Sequence, residues 1–231
     1  MSNLKQNGEL RWVPSYLRRR GQMTRAQKIA WRENWDDFGI TFEHDKTIDL
    51  ELVYPGGRPL VVEIGFGMGE NLIHLATTNS NCRFLGIEVH KPGIGAALKS
   101  IAEQEISNTR VMRGDARLIL EDHIVTPAFD RVLIFFPDPW PNPGDTHRRL
   151  FQEDFVSLLE SRMKPEATLH LATDVDSYAD WASEIMAAKQ GWKTAPDIEE
   201  NWQRIASKYE QKGLACGNRI HDLAFSRIRN V

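Results

Sequence analysis

Short unbroken apolar runs alternate along this chain with stretches whose apolar residues recur every three or four positions. The clearest run is Leu60-Val61-Val62, which passes into Glu63 and then into three glycines on alternate positions, Gly65, Gly67 and Gly69. Residues 70–76 have helical spacing, so the unit reads as strand, glycine loop, helix. The alternation returns downstream. Strands are predicted over 83–89, 109–112, 129–136 and 168–172, and helices over 91–104 and 148–162. Such a succession predicts an α/β fold in three layers, a mostly parallel sheet with helices on both faces. Upstream, Thr24 is placed to cap a helix from Arg25 to about Trp35. Residues 40–52 read as a connector and 54–57 as a turn. The pattern divides the chain into an arm with its helix, 1–39, and a single domain, 40–231, without internal repeats.

Acidic residues fall at the carboxyl ends of the predicted strands, where open α/β sheets bind ligands. Glu63 ends the first strand and Glu88 lies near the end of the second. Asp115 follows the third, in Gly114-Asp115-Ala116, and Asp138 follows the fourth, between Pro137 and Pro139. A dinucleotide fingerprint beginning at Gly65 needs glycine at 70, which is Glu70; a carboxylate there repels a pyrophosphate. Glu63 instead suits a ligand with a cationic end. Each feature has a plainer reading: the glycines as a tight turn, the acids as caps or loop charges, Pro-Asp-Pro as a turn. Several acids at successive strand ends favour a pocket. Trp140 offers a planar substrate a ring to stack on.

Composition narrows the classes. Two cysteines give no disulfide framework and no Cys/His cluster of metal-ligand spacing, and no apolar run approaches the roughly 18 residues that cross a bilayer. A cytoplasmic enzyme without metal or membrane is expected. Net charge is −3, yet Arg11, Arg18, Arg19, Arg20, Arg25, Lys28 and Arg32 are interrupted by no acid. With Trp12, Tyr16, Trp31 and Trp35 among them, the segment fits phosphate contact and base stacking, or equally a solvated arm whose rings pack back on the domain.

Together, E-I-G-F-G-M-G at 63–69, G-I-E-V-H at 86–90, G-D-A at 114–116 and F-P-D-P-W at 136–140 resemble the bacterial tRNA (guanine-N7-)-methyltransferases. The likeness extends to R-R-R-G-Q-M-T at 18–24, A-T-D at 172–174 and the segment 207–225, in the same order over nearly the whole chain. It implies a Rossmann-like class I methyltransferase fold and methyl transfer from S-adenosylmethionine to N7 of a guanine in the tRNA variable loop, with S-adenosylhomocysteine as product. It also implies roles: Glu63, Gly65, Gly67, Glu88, Asp115, Ala116 and Asp138 hold the cofactor, and Asp138 is catalytic as well. Asp174, Asn142, Arg148, Arg149 and the tetrapeptide Ser207-Lys208-Tyr209-Glu210 would meet the substrate.

The chain departs from the family's pattern after F-P-D-P-W. A strongly basic segment there becomes Asn142-Pro143-Gly144-Asp145-Thr146-His147, which leaves Arg148 and Arg149. Each lost phosphate contact flattens the salt dependence of RNA binding by about one unit. A relative that N-methylates a small purine-like heterocycle is therefore an alternative, as is a non-catalytic RNA-binding module, which the retained acids disfavour. Oligomeric state is not readable from the sequence.

Overall fold

The computed structural model describes residues 13–17, 21–43, 45–53, 55–195 and 202–228, with Lys208 and Tyr209 as backbone only. The expectations for Arg11, Trp12 and Arg18–Arg20 lie outside the described residues.

Eight strands form one sheet: β1 Gly39–Ile40, β2 Leu60–Ile64, β3 Arg83–Glu88, β4 Thr109–Arg113, β5 Phe129–Phe135, β6 Met163–Thr173, β7 Trp192–Thr194 and β8 His221–Arg227. Their order is β1-β4-β3-β2-β5-β6-β8-β7. Pairing is parallel from β1 to β6; β8 runs antiparallel to both β6 and β7. The mostly parallel three-layer sheet is the architecture expected from the alternation of runs.

Period-two alternation splits the core. Leu60, Val62 and Ile64 enter one apolar cluster, with Ile87, Met112, Phe155 and Tyr178. Val61 enters the other, with Phe84, Leu72, Ile94 and Leu98. Helices α3 Glu70–Thr78 and α4 Lys91–Glu103 cover the second face, and α6 Glu153–Arg162 and α7 Asp176–Ala187 the first. Helix α1, Arg25–Phe38, begins at a full capping box on Thr24 and packs against α4, with Trp31, Trp35 and Phe38 half-buried against the same cluster. The remaining α elements are α2 Leu50–Val53, α5 Ala116–Leu118, which runs on into a π-helical turn Ile119–His123, and α8 Lys208–Ala215.

One helix differs from its prediction. The run expected over 148–162 becomes helical only at Glu153; residues Pro143–Arg148 form a 3-10 turn. Arg149 adopts φ −55°, ψ 138°, and sinks beneath the preceding loop, 4% exposed. Phe151 is fully buried and its N–H donates to the Tyr178 hydroxyl at 3.2 Å. Burying both side chains holds the backbone extended there and delays the helix.

Candidate active site

The site lies where the parallel strands end. Leaving β2, the chain takes positive φ at Gly65 (77°), Gly67 (59°) and Gly69 (89°) before α3 begins. At Gly67 an added Cβ would meet no atom within 4 Å, because that side of the loop is open. The other side is tight: a Cβ on Gly93, in the first turn of α4, would fall 2.0 Å from the Gly67 carbonyl oxygen. Loop and helix are thus pressed together by the absence of a side chain.

Three acids surround this loop. The Glu88 carboxylate accepts from the N–H groups of Gly67 (2.8 Å), Val89 (2.7 Å) and His90 (2.8 Å), which pins the loop to the end of β3. Asp115 caps α5, accepting from the Arg117 N–H at 2.9 Å. Glu63 is 2% exposed and its Oε2 has no hydrogen-bond partner. Burial first, then repulsion by Glu88 and Glu70, pushes its carboxyl up to about 8.

These residues line a cavity of about 1290 Å³ with Ala116, Phe136, Pro137 and Asp138. Asp138 Oδ2 accepts from the Leu17 N–H at 2.7 Å, and the Trp140 indole N–H donates to the Ser15 carbonyl at 2.9 Å. The segment 14–17 therefore forms a strap along the Asp138 side of the cavity.

The family model described as "Putative methyltransferase" matches residues 57–223. The tRNA (guanine-N(7)-)-methyltransferase of Pseudoalteromonas atlantica is 38% identical over 224 residues, 95% of this chain and 93% of that protein. The enzyme of the same name from Yersinia pestis is 37% identical over 227 residues, 96% and 95% of the two chains. This chain belongs to the tRNA (guanine-N(7)-)-methyltransferase family. Its fold is also that of the aminoglycoside resistance methyltransferase NpmB1, with a TM-score of 0.55 at 16% identity over 78% of this chain and 92% of that one.

In this member of the tRNA (guanine-N(7)-)-methyltransferase family, Glu63, Gly65, Gly67, Glu88, Asp115, Ala116 and Asp138 meet in the one cavity, and Ser207 lines it too. Other predicted contacts are engaged elsewhere. Asp174 is outside the lining and its Oδ2 accepts from the Asn218 side chain at 3.1 Å. Asn142 is exposed and bonds Asp145 at 3.3 Å.

Three further residues are engaged within the protein. Arg149, expected on RNA, is a buried tie that donates to the Pro139 carbonyl (3.1 Å), the Ser177 carbonyl (3.0 Å) and the Ser177 hydroxyl (3.2 Å). Glu210, expected on substrate, is buried in an ion pair with Arg204. Trp140, expected as a stacking platform, is 9% exposed, and the Arg148 guanidinium lies 3.5 Å from its ring centroid. Its backbone is left-handed, φ 42°. The sequence reading also missed Lys91, Arg113 and Lys212, cations that line the cavity. Lys212 stands four residues after Lys208 on α8, a spacing that could have suggested a shared helix face.

Proposed function

We propose that this enzyme transfers a methyl group from S-adenosylmethionine to N7 of a guanine in the tRNA variable loop, releasing S-adenosylhomocysteine. The observation that carries the reading is one cavity shared by the glycine loop, the acids of three strand ends and Asp138. Kinship over nearly the full length to enzymes of that name supports it.

The residues present fit the cofactor. The unpartnered Glu63 Oε2 suits a cationic amino-acid end, and the open face of Gly67 leaves space that a side chain would fill. Glu88 and Asp115 offer carboxylates to hydroxyl and amino groups, with Gly65 and Ala116 as the wall between them. When bound, the cofactor supplies an electrophilic methyl group on a sulfonium.

Guanine N7 carries an in-plane lone pair and is unprotonated at neutral pH, so no residue need remove a proton first. The protein's task is to aim that lone pair and exclude water. Asp138 stands at the cavity wall on a backbone stiffened by two prolines. Its carboxylate stabilises the positive charge that appears on the purine and accepts from the N1 and N2 groups of the base. Arg148, Asn142, Asp174, Ser207, Lys208 and Tyr209 serve the RNA side, joined by Lys212. A tRNA substrate accords with a cytoplasmic enzyme; no helix among the described residues is long and apolar enough to cross a membrane.

The test is incubation with methyl-tritiated cofactor and bulk tRNA lacking the modification, then nuclease digestion and nucleoside analysis. Labelled 7-methylguanosine is the expected product. Its absence, from protein shown to bind cofactor, would overturn the tRNA reading, and label on a free purine would replace it.

A further inference from the structure

We propose that Arg204 is a positioning residue for Asp138, and that Glu210 acts through Arg204 without touching the substrate. This rests on the reading of Asp138 as the catalytic carboxylate.

Arg204 belongs to none of the motifs singled out in the sequence, yet it is the hub of a charge cluster beside the site. Its Nε and Nη2 donate to the two oxygens of Asp222 at 2.9 and 2.8 Å, and Nη1 donates to Glu210. Asp222 is fixed in turn by His170 Nε2 at 2.7 Å. Although burial opposes its charge, the hydrogen bonds from His170 and Arg204 hold its carboxyl down at about 2. Two carboxylates gripping two edges of one planar guanidinium fix the plane as well as the position.

The same guanidinium also meets a ring. The Arg204 guanidinium carbon lies 5.1 Å from the Phe136 ring centroid. Phe136 is held in left-handed backbone, φ 50°, a strained conformation for a bulky residue that persists only where its surroundings enforce it. Pro137 follows with a fixed φ, so fewer backbone angles are left to absorb a rotation at Phe136 before Asp138. At the far side of Asp138, Arg149 holds the Pro139 carbonyl. The loop carrying Asp138 is thus held at both ends by arginines whose other partners lie on different elements. Releasing Glu210 frees one edge of the guanidinium, and the loop loosens without loss of any group that faces the cavity.

The experiment compares Glu210→Gln and Arg204→Lys in the full-length enzyme with unmodified tRNA. Each should lower kcat by on the order of 100-fold, the scale of a misplacement of about 1 Å, with far smaller changes in KM for tRNA and in calorimetric cofactor affinity. Adding Glu210→Gln to Asp138→Asn should cost nothing further in single-turnover rate, because there is no longer a carboxylate to aim. A raised KM for tRNA at unchanged kcat in Glu210→Gln would overturn the inference by making Glu210 a substrate contact. Full additivity with Asp138→Asn would overturn it too, since a merely structural role keeps its cost in either background. Should Arg204→Lys fail to fold, Glu210→Gln still carries both comparisons. Wild-type turnover in Asp138→Ala would remove the underlying reading; wild-type kcat in Glu210→Gln, with Asp138→Ala inactive, would sink this inference alone.

Discussion

The two halves of the site handle charge in opposite ways. On the β2–β4 side the ligand-facing groups are positioned by backbone, and one carboxylate, Glu63, keeps a buried oxygen without a partner. On the β5–β8 side charges are matched within the protein: Arg204 with Glu210 and Asp222, Asp222 with His170, and Arg149 with carbonyl groups. The first half is unfinished until a cation arrives. The second matches several of its charges internally, and those ionic side chains hold a loop in place. Residue type alone therefore says little about role here; Glu63 and Glu210 are both buried glutamates with opposite accounts.

The sharpest way to break this contrast is at Asp138, the one acid of the second half given a direct part in the chemistry. Asp138→Ala should cut kcat by at least roughly 100-fold, as loss of a preorganised charge-stabilising group commonly does. Near wild-type turnover in a methyl-transfer assay would remove it from the mechanism.

Next comes Glu63. With its carboxyl near 8, it is protonated in the ligand-free protein at pH 7, and a cationic ligand favours the ionised form. Cofactor affinity should therefore rise as pH approaches 8, with proton release visible by calorimetry in buffers of different ionisation enthalpy. Stability of the ligand-free enzyme runs the other way: a raised carboxyl contributes stability fully present below the ordinary carboxylate range and lost as pH rises through about 8. Glu63→Gln should weaken cofactor binding by about tenfold or more and flatten both pH dependences. A cofactor affinity that stays pH-dependent in this variant would assign the proton elsewhere.

Gly67→Ala should cost roughly 1–2 kcal/mol through its left-handed backbone, read as a modest fall in Tm. It should weaken cofactor binding besides, because its Cβ would stand in the open face of the loop; unchanged affinity would move the ligand away from it. The smallest effect concerns RNA. Asn142→Lys with Gly144→Arg, both at exposed positions, should steepen the salt dependence of tRNA binding by about two units if the nucleic acid crosses this turn. An unchanged slope would put the RNA path elsewhere.

Much of the first half was legible in the sequence. Strands β2 and β3 are buried on both faces, which writes them as continuous apolar runs, and the glycines mark where backbone must turn. Strand β1, two residues long, and β7, three, are too short for any period to show. The delayed start of α6 was hidden because tertiary burial of Arg149 and Phe151, and no local breaker, sets it. The partners of Arg204 were equally invisible. Asp222 lies 18 residues away on another element, at no helical or strand spacing, so the sequence shows three charges but not their closure into one cluster.

The strap has a practical consequence. Since the Leu17 N–H holds the Asp138 carboxylate, a change within the strap is felt at the reactive rim: proline at 17 would remove that donor and release the carboxylate on one side.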